Sequence, residues 1–237
     1  MTLPAAPRFA FLAATSLSYF KPRFKVVLQP VAASLARCGV VANQVTVASL
    51  LGSLLVSMIL ACCVAYSIAF ALLPVWLLVR MGLATIDGML AIDFGQKSRL
   101  GGILNELGDI VSDVALIAPL AFVSPTLITE VAVISALTIA IELAGIAGLV
   151  LGGTRRVDGP FGKADRSIVL AAAGAWIACF GSLPADAAIV FGICDGLAVL
   201  TIANRVRLAY CDRHRTMGAG SSSSDCGAGS CTQSPSR

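Results

Sequence analysis

The sequence predicts an all-α membrane protein: six transmembrane helices preceded by an interfacial amphipathic helix. Three observations carry that expectation. The chain is 57% hydrophobic and only 13% charged, whereas soluble domains carry about 25% charged residues. Apolar stretches of roughly the 20 residues that cross a hydrocarbon core recur at about 43–63, 66–92, 99–123, 126–151, 166–182 and 186–208. Basic residues alternate in step with them. Arg8, Lys21, Arg23, Lys25 and Arg37 precede the first stretch, and Lys97 and Arg99 lie between the second and third. Arg155, Arg156, Lys163 and Arg166 lie between the fourth and fifth, and Arg205, Arg207, Arg213 and Arg215 close the series.

The opposite loops have no basic residue. The positive-inside rule therefore places both termini and the even-numbered connections in the cytoplasm, with the chain in an inner (cell) membrane. Only Arg80 breaks the pattern. The net charge of +4 follows from this bias, and no basic stripe interleaved with aromatics argues for nucleic acid. Membrane lipids are the surroundings this composition implies.

Along the chain, residues 1–40 read as a cytoplasmic N-terminal segment. Its apolar run "RFAFLAATSLSYFKPRFK" is broken by Ser and Thr and lacks a cleavage site, so it does not read as a signal peptide. Phe24, Val27, Leu28, Val31 and Leu35 share a helical face apart from Arg23, Lys25 and Arg37, the pattern of a helix lying on a leaflet. Residues 41–210 form one membrane domain. Residues 211–237 end in "GAGSSSSDCGAGSCTQSPSR", too poor in apolar side chains to offset the entropy of ordering, and read as a disordered cytoplasmic tail. The 8 cysteines form no CxxC pair and His214 is the only histidine, so the cysteines read as small apolar residues and not as a thiolate metal site.

The second and third stretches carry carboxylates. Asp87 lies near the end of the second, and Asn105, Asp109 and Asp113 recur every four residues along the third. A step of four residues turns a helix by about 400°, so these three side chains form one stripe. Ionisable groups in a membrane span are costly and face a cavity or a partner. A shared functional site and a structural polar knot both satisfy that requirement.

The segment "ATIDGMLAIDFGQKSRLGGILNELGD" resembles the motif of the CDP-alcohol phosphatidyltransferase family, D-x2-D-G-x2-A-R-x8-G-x3-D-x3-D. Laid over residues 84–109 without a gap, Asp87, Gly88, Ala91, Gly101 and Asp109 match. Upstream, "GVVANQVTVASLLGSLL" is similar to the family's first span, with Asn43 and Thr46 in place. The resemblance implies six spans after a juxtamembrane helix and a homodimer. It implies transfer of a phosphatidyl or phosphoalcohol group from a CDP-linked donor to a hydroxyl acceptor, with CMP leaving, in phospholipid biosynthesis. It further implies Mg²⁺ or Mn²⁺ on the aspartates, with Asp87 a metal ligand and Asp109 the base. Hard oxygen donors suit those cations. Gly88, Ala91 and Gly101 would let the nucleotide approach the helices.

Three positions depart from the motif. Ala84 replaces the first aspartate, Asn105 the third, and Ile92 the arginine. Ala84 cannot coordinate a cation, whereas the Asn105 amide can. Asp113 offers a partial rescue, because Asp109 and Asp113 repeat the D-x3-D spacing one turn, about 6 Å, further along. A second reading of Asp113 is an ion pair with Arg80: in antiparallel helices the two lie at comparable depth, and Glu142 can join them. Asp93 is open to readings as a substitute ligand or a solvated loop charge.

The loop "GGTRRVDGPFGKADRS", residues 152–167, places Arg155, Arg156 and Lys163 before a helix start. In the family, basic residues here bind the acceptor phosphate, and helix N-termini favour anions. Topological anchoring is the alternative. Three function classes follow: a phosphatidyltransferase, a catalytically silent relative that binds nucleotide or lipid, and a transporter or scaffold using the carboxylates structurally.

Overall fold

The computed structural model describes residues 21–150, 159–184 and 186–221, with side chains described for 25–147, 159–184 and 186–210. Among them the regular structure is helical, with no strand. The helices are α1 (Lys21–Arg37), α2 (Ala42–Cys62), α3 (Leu72–Ile92), α4 (Arg99–Ile117), α5 (Ile128–Val150), α6 (Lys163–Phe180) and α7 (Ala187–Ser221). Short 3₁₀ turns precede α3 at Ser67–Ala71 and join α4 to α5 at Ala118–Phe122 and Pro125–Leu127.

Helix ends follow local chemistry. The Val41 N–H donates to Gln44 Oε1 (3.0 Å) at the start of α2, and Ser98 Oγ accepts from the Gly101 N–H (2.9 Å) at the start of α4. These bonds satisfy donors that a helix start leaves open. At the start of α6 the Gly162 N–H donates to Asp165 Oδ2 (2.8 Å). Gly181, at φ 80°, ends α6 in the left-handed conformation that glycine adopts without penalty.

Four described segments are long and apolar enough to cross a membrane: Ala42–Cys62, Ser67–Ile92, Pro125–Ala147 and Ala187–Tyr210. Helices α4 and α6 are not among them. The first carries Arg99, Glu106, Asp109 and Asp113, and the second Lys163, Asp165 and Arg166. Leu51, Leu54, Leu55 and Met58 on α2 and Val75 and Leu78 on α3 are exposed, a surface suited to lipid contact.

Helix α2 packs against α3 and α4, α5 against α4 and α7, and α6 against α3 and the turn before it. Phe70, Leu73, Leu116, Leu120, Ile141 and Ile177 are buried in the main core. Small residues permit the closest approaches: a Cβ on Gly174 of α6 would stand 2.7 Å from Leu73 Cβ and 3.0 Å from the Phe70 carbonyl oxygen. A second core joins α1 to α2 and α3 through Ala32, Ala42, Val45, Ile86, Met89 and Leu90.

Helix α1 uses its apolar residues on two sides. Leu28, Ala32 and Leu35 pack on the second core, while Val27 and Val31 are exposed. The single stripe expected from the sequence is therefore split, because α1 docks on α3 through small Ala32. Of the tail expected from residue 211, residues 211–221 are helical, since α7 continues to Ser221, and residues 222–237 lie outside the described part.

Candidate functional site at the junction of α3 and α4

The chain turns back between Ile92 and Arg99, so α3 and α4 run in opposite directions and bring Asp87 towards Asp109. This end is fastened by polar contacts from neighbouring segments. Gln96 clamps the loop before α2, accepting from the Ala42 N–H (2.8 Å) and donating to the Val40 carbonyl (3.3 Å). Asp93, in the connection from α3 to α4, pairs at the surface with α1: Lys25 Nζ lies 2.9 Å from its Oδ2.

Asp87 is half-buried. Thr46 Oγ1 on α2 lies 3.1 Å from Asp87 Oδ2 and 3.2 Å from the Ala42 carbonyl, sharing one proton between the two acceptors. Asp109 and Lys163 are near enough for their charges to act on Asp87. Gly108 of α4 faces α2 here: a Cβ on it would meet Thr46 Cγ2 at 3.9 Å, an ordinary van der Waals contact.

Asp109 holds two cations. Its Oδ1 pairs with Lys163 Nζ from the first turn of α6 and with Arg80 Nη2 at 3.2 Å. Arg80 Nη2 also donates to the Asp109 carbonyl at 3.2 Å, fixing side chain and backbone together. Lys163 thus belongs with the carboxylates of α3 and α4. Arg155 and Arg156, grouped with it as acceptor-phosphate ligands, lie outside the described residues.

Deeper in the bundle, Asp113 is enclosed on both oxygens. Arg80 donates to Oδ1, and Arg166 Nη2 donates to Oδ2 at 3.1 Å and to Glu142 Oε1 at 2.6 Å. Arg80, Asp113, Glu142 and Arg166 are all buried. Asp113 is therefore an ion-pair partner and not a substitute cation ligand, because one turn beyond Asp109 it meets two guanidinium groups. Glu142 joins the network through Arg166 instead of Arg80. Pairing of this kind is what makes buried charge tolerable in such a bundle.

The small residues of the motif have unequal surroundings. A Cβ on Gly88 would meet nothing within 4 Å, and the same holds for Gly102. Gly101 is different: its Cβ would stand 2.4 Å from Asn43 Oδ1 and 2.8 Å from Ser98 Oγ. The space expected to admit a nucleotide at Gly101 is taken by Asn43 of the chain itself. Ala91 is half-buried against the α1–α3 core, which uses its small size for packing. Ala84 is exposed and Asn105 half-buried.

Among the described residues, no three His, Cys, Asp or Glu side chains converge as a metal site. The oxygen donors at this junction are the carboxylates of Asp87 and Asp109 and the amide of Asn105 on the same α4 stripe as Asp109. Mg²⁺ is commonly held by one or two carboxylates together with substrate phosphates. The donor set therefore fits one such cation and falls short of two.

No protein-family model matches the chain. It is 36% identical over 192 residues to the inner membrane protein YnbA of Escherichia coli (strain K12), an alignment covering 81% of this chain and 95% of that protein. With its apolar helices, that similarity makes it a membrane protein, and the chain belongs to the family of inner membrane protein YnbA.

Proposed function

We propose that the chain is a CDP-alcohol phosphatidyltransferase-type enzyme of the inner membrane, with six spans and both termini cytoplasmic. It would move a phosphatidyl or phosphoalcohol group from a CDP-activated donor to a hydroxyl acceptor and release CMP, serving phospholipid synthesis. The observation that carries this reading is the convergence of Asp87, hydrogen-bonded to Thr46, and Asp109, paired with Lys163. They meet where the basic connections mark the cytoplasmic side.

In this reading Asp87 and Asp109, with Asn105, hold one Mg²⁺ or Mn²⁺. The bound cation supplies neutralisation of the donor pyrophosphate and of the leaving CMP. Asp109 takes the proton of the acceptor hydroxyl, whose oxygen forms the new P–O bond as the bond to CMP breaks. Arg80 and Lys163 orient the Asp109 carboxylate for that step. Open space beside Gly88 and Gly102 leaves room for the donor. Arg155 and Arg156 meet an acceptor phosphate, and the active form is a homodimer.

The test is CMP release by the purified protein in lipid, with CDP-diacylglycerol, Mg²⁺ or Mn²⁺ and a panel of hydroxyl acceptors. The expected result is release that needs both metal and acceptor and disappears in Asp109→Asn. A second reading, a silent relative that binds nucleotide or lipid, is favoured by Ala84 and by the grip of Lys163 and Arg80 on Asp109. Retained CDP binding without release, with turnover appearing in the Ala84→Asp/Asn105→Asp double variant, would select it.

A further inference from the structure

We infer that an ordered water molecule is bound inside the bundle between Arg80 and Arg166, with the two guanidinium groups as donors to it and Asp113 and Ser167 as its acceptors. The site belongs to the packing of α3, α4 and α6 and does not depend on the proposed reaction.

Unmet donors point to it. A guanidinium carries five N–H groups, and each needs an acceptor once it leaves bulk water. Arg80 places Nη1 on Asp113 and Nη2 on the carbonyl and carboxylate of Asp109. Arg166 places Nη2 on Asp113 and Glu142. Arg80 Nε and Arg166 Nε and Nη1 are buried and meet no acceptor among the described residues. The two side chains are 5% and 6% exposed, so bulk solvent does not meet the need. Where protein offers no acceptor, buried donors of this kind are paired with ordered water.

Room exists beside the same groups. Leu77 and Arg80 of α3, Asp113 and Leu116 of α4, and Arg166 and Ser167 of α6 line one cavity. It gives the centre of a water molecule about 20 Å³ to occupy, and a single water needs about 10–15 Å³ so measured. Acceptors complete the shell. Each carboxylate oxygen of Asp113 takes one arginine and keeps a lone pair, and Ser167 Oγ, which donates to the Lys163 carbonyl at 3.0 Å, can itself accept. A water here accepts from Arg80 and Arg166 and donates to Asp113 and Ser167, in keeping with the two to four bonds usual for buried water. A halide would satisfy the donors but would lie against the Asp113 carboxylate, which water can hydrogen-bond and an anion cannot. The water thereby ties the three helices through bonds that their side chains do not make directly.

The experiment is X-ray radiolytic labelling of the purified protein in lipid nanodiscs, with side-chain oxidation read by mass spectrometry. Hydroxyl radicals formed from a bound water oxidise the side chains beside it even where bulk solvent does not reach. Leu116 lines the cavity, whereas Leu60 and Leu73 do not, and all three are 0% exposed. Leu116 is expected to be oxidised about tenfold faster than Leu60 and Leu73, because a polar cavity holds water and a packed apolar core does not. Ser167→Val, which removes an acceptor and fills space, is expected to bring Leu116 down to their rate. Leu116 oxidised no faster than Leu60 and Leu73 in wild type would overturn the inference. So would fast oxidation of Leu116 in a Ser167→Val protein that melts at the wild-type temperature. Should Ser167→Val fail to fold, the comparison of the three leucines in wild type decides by itself.

Discussion

Arg80 on α3 donates from one nitrogen, Nη2, to both the carbonyl and the carboxylate of Asp109 on α4, each at 3.2 Å. Its other terminal nitrogen pairs with Asp113 one turn deeper. A single guanidinium thus fixes the α3–α4 register at the depth of the carboxylate stripe. Removing one member of a buried pair strands its partner, at a typical cost of about 3–5 kcal/mol. Arg80→Leu is expected to destabilise the protein by that order, read as a lowered denaturation midpoint in detergent. Arg80→Leu/Asp113→Leu should be less damaging than the sum of the single changes.

Arg166 and Glu142 give an asymmetric pair of variants. Arg166→Gln takes a cation from both Asp113 and Glu142, whereas Glu142→Gln keeps a hydrogen-bond acceptor for Arg166 and leaves Asp113 paired. Arg166→Gln should be the more destabilising by about 1–3 kcal/mol, the scale of a buried polar group losing its partner. Paired denaturation curves check the order, and equal losses would contradict it.

Neighbouring glycines should behave differently. Gly101→Ala places a methyl on Asn43 Oδ1 and Ser98 Oγ, whereas Gly102→Ala points into open space. The first is expected to cost about 1–3 kcal/mol by overpacking and to lower turnover by moving Asn43. Gly102→Ala should leave melting temperature within about a degree of wild type or raise it, since alanine favours helix.

The α1 contact separates charge from packing. The Lys25–Asp93 pair has side chains 51% and 35% exposed, and exposed pairs contribute about 0–1 kcal/mol. Lys25→Ala should therefore leave α1 docked. Ala32→Glu, which forces a carboxylate into a position with 0% exposure, should release it, measured as increased protease cleavage near residue 37.

Much of this arrangement was legible because helical period and antiparallel direction are simple constraints. The four-residue stripe put Asn105, Asp109 and Asp113 on one face, and equal depth in antiparallel helices anticipated the contact of Arg80 with Asp113. The position of α6 was not legible. No local pattern states that Lys163 and Arg166 approach α4, because that depends on Gly174 admitting Leu73 and Phe70 from a segment distant in sequence. Lys163 consequently read as an acceptor-phosphate ligand of the basic loop, and Arg166 as one of the basic residues that set the topology. Gly101 read as ligand space because spacing reveals a missing side chain but not the neighbour that fills the gap. The Lys25–Asp93 pair joins residues far apart in the chain and had no signal beyond opposite charge.

Asp87 and Asp109 are the residues on which the proposed phosphatidyl transfer depends. The most direct measurement is the rate of metal-dependent CMP release by Asp87→Asn beside wild type, in lipid, with melting temperatures recorded for both. The account predicts an Asp87→Asn protein that melts within a few degrees of wild type and releases CMP at least about 10²-fold more slowly. A folded Asp87→Asn protein that releases CMP at the wild-type rate would contradict it.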